Sequence, residues 1–291
     1  MNVIFVLGCP RSGTTFLMDC LQALPYTECL SGISFPVPMA HLAAQKLPEQ
    51  INHCLEYSLE SSLNVYLDAV PNSRFRAFHR LLTGSMSSNE AIELFRRKRQ
   101  LQNLIYKEPF FSFAPKFIQQ ALPKSKIIYL VRDGRDCANS LVKSYDVLTD
   151  EKLKGFRTSE SPFGYMYQGM CIPWWVEGDQ ASDFLEASPY VRAIWMWKEM
   201  VKCCDRFFCQ DEVISNGRVL QISYEDLARE PITVGEKISK HLGVQTSDRF
   251  IKNLQKASPK SIGKYKTRDP LEVKSAEQVA YDELKFHNYL V

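Results

Sequence analysis

The stretch Val3-Ile4-Phe5-Val6-Leu7-Gly8-Cys9-Pro10-Arg11-Ser12-Gly13-Thr14-Thr15 decides the fold. Its first five residues are apolar and mostly β-branched or aromatic, the composition of a parallel strand buried on both faces. Gly8 to Gly13 spell a tight turn, and Thr14 through Leu24 carry apolar residues at helical spacing. A strand, a glycine-bounded loop and a helix together aim backbone N–H groups and a helix N-terminus at one anion. The loop follows G-x-x-x-x-G-T-T, one residue away from the nucleotide-binding pattern G-x-x-x-x-G-K-[ST]. Thr14 stands where that pattern has lysine, so the usual grip on a β,γ-phosphate beside magnesium is missing. Arg11, inside the loop, instead offers a planar cation suited to one oxyanion. A plain glycine turn after a core strand is the competing interpretation, and the helix continuing in register argues against it.

With 291 residues the chain can bury a substantial core and suits one domain with insertions. Its 45% hydrophobic and 24% charged residues match a soluble globular protein. A net charge of +3 is too small to indicate a nucleic-acid partner, while it suits an anionic cofactor. The nine cysteines form no C-x-x-C pair and no zinc spacing, which fits reduced, mostly buried thiols in a cytoplasmic protein. No secretory signal is expected, because the apolar run after Met1 stops at Gly8. No run approaches the roughly 18 apolar residues of a membrane span.

Outward from the first unit, Pro25 to Pro38 reads as a loop. A helical insertion is expected over about 39–100, broken near Pro71-Asn72 and Thr83-Gly84. It ends in Arg96-Arg97-Lys98-Arg99, a run suited either to an anionic acceptor or to a solvated helix end. Leu104-Ile105-Tyr106 is a short strand that delivers Lys107-Glu108-Pro109-Phe110 to its carboxyl end, where α/β sheets place ligands. Lys107 and Glu108 are therefore functional candidates or an exposed pair. Pro115 to Leu122 reads as a helix and Lys126 to Val131 as a buried strand. That strand runs into Arg132-Asp133-Gly134-Arg135-Asp136 and a helix carrying Ala138, Leu141 and Val142. Arg132 lies beside the glycine loop if the two strands are neighbours, and Ser140, two turns into the helix, can present a hydroxyl to the same anion. Taken alone, Arg132-Asp133 reads as an internal ion pair at a turn.

From about 145 to 186 periodicity fades while Phe156, Phe163, Tyr165, Tyr167, Trp174 and Trp175 accumulate. Such a segment is a binding loop lining an acceptor pocket, or a loop packed on the core. A helix follows over Tyr190–Cys209, then a strand over Arg218–Ile222. Ser223 and Asp226 resemble a capping box. Ile232–Leu242 is an amphipathic helix closed by Gly243, and Asp248–Gln255 is another. Ser258, Lys260, Ser261, Gly263, Lys264, Lys266 and Arg268 then make a flexible cationic segment, fit to fold over a phosphate or to remain a soluble loop. Strands alternating with helices give the α/β class, here a P-loop-type fold with a central, mainly parallel sheet flanked by helices.

Pro10-Arg11-Ser12-Gly13-Thr14-Thr15 and Val131-Arg132-Asp133-Gly134-Arg135, with Ser140 behind, resemble the two cofactor signatures of sulfotransferases. That family moves a sulfuryl group from 3′-phosphoadenosine 5′-phosphosulfate (PAPS). Lys107-Glu108-Pro109-Phe110 is similar to the K-D-P-F element of the tyrosylprotein branch and its bacterial relatives, and Tyr224-Glu225-Asp226-Leu227 to their Y-E-x-L element. The resemblance implies that Arg11, Ser12, Gly13, Thr14 and Thr15 cradle the 5′-phosphosulfate. It implies that Arg132 and Ser140 hold the 3′-phosphate, replacing the ion-pair interpretation. Tyr224 would sit near adenine, and the tail with Ser261 and Lys264 would close over the nucleotide. Lys107 and Arg11 would be the catalytic cations, and no metal is called for. Relatives often carry a glutamate shortly after the first helix, yet Ser31-Gly32-Ile33-Ser34 has none. Glu28, Glu108 and His41 are the substitutes, and the base stays unassigned. The acceptor is a hydroxyl compound of unspecified class. The rivals are a P-loop kinase or NTPase and a catalytically inactive nucleotide-binding protein.

Overall fold

The computed structural model describes residues 2–31, 37–69, 81–82, 84, 87–89, 92, 101–145, 148–155, 164–210, 213 and 216–290. In chain order its first half runs β1 (Asn2–Leu7), α1 (Thr14–Leu21), β2 (Thr27–Ser31), α2 (Val37–Ala44), α3 (Glu49–Ala69), β3 (Asn103–Lys107), α4 (Pro115–Ala121), β4 (Lys126–Val131) and α5 (Gly134–Tyr145). There follow α6 (Asp150–Gly155), a hairpin of β5 (Gly164–Tyr167) and β6 (Met170–Pro173), α7 (Ala181–Glu186) and α8 (Pro189–Phe208). The last part is β7 (Val219–Ser223), α9 (Tyr224–Arg229), α10 (Pro231–Leu242), α11 (Asp248–Leu254), α12 (Pro270–Val279) and α13 (Tyr281–Phe286).

Five strands form one parallel sheet in the order β2-β3-β1-β4-β7. Parallel pairing puts every carboxyl end on the same edge, so the glycine loop after β1, Lys107 at the end of β3 and Arg132 after β4 emerge side by side. Alternation along β1 explains how the sheet is covered. Ile4 and Val6 face a cluster with Leu17, Leu21, Ile238, Leu242 and Leu254, from α1, α10 and α11. Phe5 and Leu7 face the other way, onto Leu59, Phe117, Ile118 and Cys204, from α3, α4 and α8. Both faces are dry, which is why the central strands are apolar without interruption.

Three segments differ from the sequence expectations. The loop expected over Pro25–Pro38 contains β2, paired along β3 from Thr27 opposite Asn103 to Ser31 opposite Lys107. The segment 145–186 is not irregular where described: it holds α6, the hairpin and α7, with Phe156 and Phe163 outside the described residues. The cationic tail is ordered into two short 3-10 turns, Pro259–Ser261 and Lys264–Thr267, and continues into α12 and α13. Within the 39–100 insertion, α2 and α3 are helical as expected. The breaks at Pro71-Asn72 and Thr83 and the run Arg96–Arg99 lie outside the described residues.

Buried Arg192, on α8, ties the ends of α6 and α7 together. Its Nη1 donates to the Leu148 carbonyl at 2.8 Å and to Asp150 Oδ1 at 2.7 Å, and its Nε donates to the Phe184 carbonyl at 2.8 Å. A guanidinium has enough fixed donors to pin three loop ends at once, which an apolar residue there would not.

Candidate functional site

Close packing shapes the first loop. Gly8, at φ 142°, lies so near β4 that a Cβ there would sit 2.3 Å from the Leu130 carbonyl oxygen. Gly13, at φ 103°, leaves no room for one either, since a Cβ would meet the Tyr224 ring at 2.7 Å. Arg11 takes the left-handed conformation, φ 72°, without being glycine. Strain of this kind persists where the surrounding structure holds the residue in place. Its Nε donates to Ser140 Oγ at 3.0 Å and its guanidinium carbon lies 5.3 Å from the centre of the Tyr145 ring. Ser140 thus accepts from Arg11 and keeps its own hydroxyl proton for another partner.

Arg132 leaves the end of β4 and meets that loop directly. Its Nη1 donates to the Arg11 carbonyl at 3.1 Å and its Nη2 to the Ser261 carbonyl at 2.6 Å. The guanidinium lies over the Tyr224 ring, 4.5 Å from its centre. Arg132 Nε is buried with no partner. Arg132 does not pair with Asp133: that carboxylate is held by Arg135, Nη2 to Oδ2 at 2.8 Å. Successive residues at a strand end point to opposite sides, which separates the two.

The remaining charges of the same turn fasten the tail. Asp136, buried on α5, accepts the backbone N–H of Gly263 through Oδ2 at 2.6 Å and that of Tyr265 through Oδ1 at 3.0 Å. Burial raises its carboxyl above the ordinary aspartate value of 3.8, and the two N–H bonds and Arg132 pull the other way. Arg135 Nη1 donates to Glu277 at 2.6 Å and its Nη2 to the Tyr289 carbonyl at 2.7 Å. Its guanidinium also lies 4.2 Å from the centre of the Tyr265 ring. Ser261 Oγ donates to the Tyr224 hydroxyl at 2.9 Å.

A cavity of about 680 Å³ opens between these parts. Its lining includes Arg11, Gly13, Thr14, Thr15, Lys107, Arg132, Ser140 and Tyr224. Ser12, Ser261 and Lys264 stand outside its wall. The Ser12 N–H donates to the Cys9 carbonyl at 3.0 Å and its buried Oγ has no partner, so it braces the turn from inside. Among lining residues with cationic or phenolic side chains, sequence reasoning missed Tyr145, Lys152 and Lys256. Lys256 had a signal, standing just before the cationic tail; Lys152 sits in a polar helix with none. Phe110, Leu141, Leu148, Leu153, Trp175 and Met196 make much of the rest of the wall apolar. Of the aromatics left open in the sequence, Trp175 faces this cavity, whereas the Tyr165 hydroxyl donates to the Val176 carbonyl at 3.2 Å.

None of the three base candidates lines the cavity. Glu108 is buried and its carboxylate accepts the Phe110 N–H at 3.2 Å, capping the turn Pro109–Phe113. Burial raises its carboxyl above the usual glutamate range. His41 packs against Trp174 with ring centres 4.6 Å apart, and burial lowers its imidazole. Glu28 sits on the edge strand β2. Chemically, the cavity can hold a ligand with anionic groups at two places, one at the glycine loop and one at Arg132, beside an apolar compound.

The sequence profile of the sulfotransferase family matches residues 3–248. The chain belongs to the sulfotransferase family. The match spans β1 through the start of α11 and so takes in the glycine loop, Lys107 and Arg132. Protein-tyrosine sulfotransferase A of Caenorhabditis elegans is 21% identical over 253 residues, covering 87% of this chain and 52% of the relative. The chain therefore spans about half the length of that curated relative. Among solved structures, a sulfotransferase from Alicyclobacillus acidocaldarius is 16% identical, with 98% and 93% of the two chains covered and a TM-score of 0.49. A mouse sulfotransferase complexed with PAP is 14% identical, with 97% and 84% covered and a TM-score of 0.49.

Proposed function

We propose that this family member transfers a sulfuryl group from PAPS to an acceptor hydroxyl. One observation carries the proposal: Arg132, at the end of β4, donates to the Arg11 loop at the end of β1, and both face one cavity. PAPS bears a phosphosulfate at one end of its adenosine and a 3′-phosphate at the other. Two cationic strand ends a few ångströms apart fit that pair of charges, and the buried, unpartnered Arg132 Nε fits a group still to be bound. When bound, the donor supplies a sulfuryl group on a good leaving bisphosphate.

The chain's own residues take these roles in the proposal. Gly13, Thr14 and Thr15 give backbone N–H groups and hydroxyls at the start of α1, where the helix dipole favours an anion. Thr14 in the lysine position suits a single phosphosulfate and disfavours a metal-chelated triphosphate. Arg11 and Lys107 offset charge that grows on the departing oxygen, a preorganised electrostatic term. Arg132 and the free proton of Ser140 hold the 3′-phosphate. Tyr224, beneath Arg132, offers a ring to adenine. Ser261 and Lys264 belong to the tail that Asp136 and Arg132 hold over this end. We assign the enzyme to the cytoplasm, which suits nine unpaired cysteines. Among the described residues no helix is long and apolar enough to cross a membrane.

Calorimetry tests the donor. Adenosine 3′,5′-bisphosphate is expected to bind equally well with EDTA and with magnesium, and more tightly than AMP or Mg-ATP. A preference for Mg-ATP overturns the reading. Transfer of labelled sulfate from PAPS is the second measurement, and Lys107→Ala is expected to lose turnover while keeping bisphosphate affinity.

A further inference from the structure

A second cavity, of about 640 Å³, is walled by the tail, the ends of β4 and β7, α9, α10 and residues 286–289. No lining residue is common to the two cavities. Arg132 and Tyr224 line the first, while their chain neighbours Asp133 and Glu225 line the second. In the same way Ser258 stands in the first, and Gly263, Tyr265 and Lys266 in the second. Its volume lies within the roughly 300–1,000 Å³ of small-ligand sites.

The buried charges of this second wall are matched within the fold. Arg135 holds Asp133 at 2.8 Å. Glu225 accepts the Asp133 N–H and the Tyr289 hydroxyl, and burial raises its carboxyl toward the neutral form. His287 meets Asp205 at 2.9 Å. The exposed charges are of another kind. Arg229 ends α9, Lys237 stands midway along α10, and Lys266 lies in the tail turn Lys264–Thr267. Asp226 is the one exposed acid among the lining residues, so cations are in excess. Any one of these cations alone is an ordinary solvated side chain. Here three elements bring them to one hollow. Lys266 is also held in place: its Cε is 3.7 Å from where a Cβ on Gly263 would sit, and Asp136 fixes the Gly263 N–H.

We propose that this second cavity binds a small polyanion bearing two or more phosphate groups, gripped by Arg229, Lys237 and Lys266 together. A guanidinium fork and two ammonium groups on separate elements suit separate oxyanions of one ligand better than a single small anion. A phosphate ester carries about −1.5 to −2 charges at pH 7, enough to answer more than one of the cations. The inference concerns a different cavity from the donor's and stands whichever donor the first one takes. A ligand bridging Lys266 to α9 and α10 would fasten the tail, which Arg132 and Asp136 hold through Ser261, Gly263 and Tyr265.

The test is calorimetry with inorganic pyrophosphate at fixed ionic strength, on protein whose first cavity is saturated with adenosine 3′,5′-bisphosphate. One pyrophosphate is expected to bind per chain, and inorganic sulfate far more weakly. Arg229→Glu and Lys237→Glu are each expected to weaken pyrophosphate by about 10-fold or more while leaving the bisphosphate unchanged. Lys240→Glu makes the same change of charge at an exposed residue of α10 outside the cavity, and is expected to bind as the wild type does. Pyrophosphate is expected to slow hydrogen exchange at residues 262–266 in the wild type and not in Lys237→Glu. Absence of pyrophosphate binding, sulfate binding as tightly, equal weakening in Lys240→Glu, or protection confined to other segments overturns the inference. If the bisphosphate itself does not bind, the donor reading falls; the same three variants still decide the second cavity, because none of them lines the first.

Discussion

Arg132 donates to two backbone carbonyls, lies over a phenol ring and keeps one buried N–H without a partner. A side chain so placed recognises an anion by fork geometry as well as by charge. Arg132→Ala is expected to weaken adenosine 3′,5′-bisphosphate by about 1.5–3 kcal/mol in calorimetry, the range for hydrogen bonds to charged groups. Arg132→Lys is expected to restore only part of it. At this scale the sequence was legible where a residue's conformation follows from neighbours in the chain. The Gly8–Gly13 turn is one case, and the Ser223 cap, whose Oγ accepts the Asp226 N–H at 2.9 Å, is another. It was not legible where two residues compete for one partner. Asp133 stands next to Arg132 in the chain, but Arg135 reaches it at 2.8 Å.

Elements show the same division. The strand Lys126–Val131 matches its expected bounds residue for residue, because an apolar run in a buried parallel sheet has few alternatives. Strand β2, Thr27-Glu28-Cys29-Leu30-Ser31, has no such run; pairing with β3 and burial of Leu30 form it, and neither is a local property. Helices α12 and α13 bury only Ala276 and Leu284 within their spans, too sparse a stripe to announce a helix. The start of α12 is set locally, with Pro270 in its first turn and the Asp269 carboxylate accepting the Leu271 N–H at 2.7 Å. What fixes this C-terminal segment is Arg135, which binds Glu277, the Tyr289 carbonyl and the Tyr265 ring at once. Arg135→Ala leaves Asp133 buried and unpaired. It is expected to cost about 3–5 kcal/mol of stability in denaturant titration. Hydrogen exchange is expected to rise first in residues 263–289.

For the molecule as a whole, the α/β class and the ligand-bearing edge followed from strand ends, whereas the order β2-β3-β1-β4-β7 did not, because an apolar strand does not name its neighbours. Stability should also carry a mark of the buried acids around the site. Glu225 accepts the Asp133 N–H at 3.2 Å and the Tyr289 hydroxyl at 3.0 Å, yet burial raises its carboxyl above the ordinary 4.5. The folded chain holds that proton more tightly than the unfolded one. This contribution is therefore complete below pH 4.5 and is lost as pH rises through the folded value. Glu225→Gln keeps the acceptor for Asp133, and its stability is expected to fall less than the wild type's above pH 4.5, in denaturant titrations across pH. The left-handed Arg11 sets a different balance. That backbone costs a non-glycine residue about 1–2 kcal/mol, against the roughly 0.5–1 kcal/mol that glycine's extra freedom would cost the fold. Arg11→Gly is expected to melt at or above the wild-type temperature while losing the bisphosphate. Stabilising this turn and emptying the site would then be the same substitution, so in this loop durability and ligand binding pull against each other.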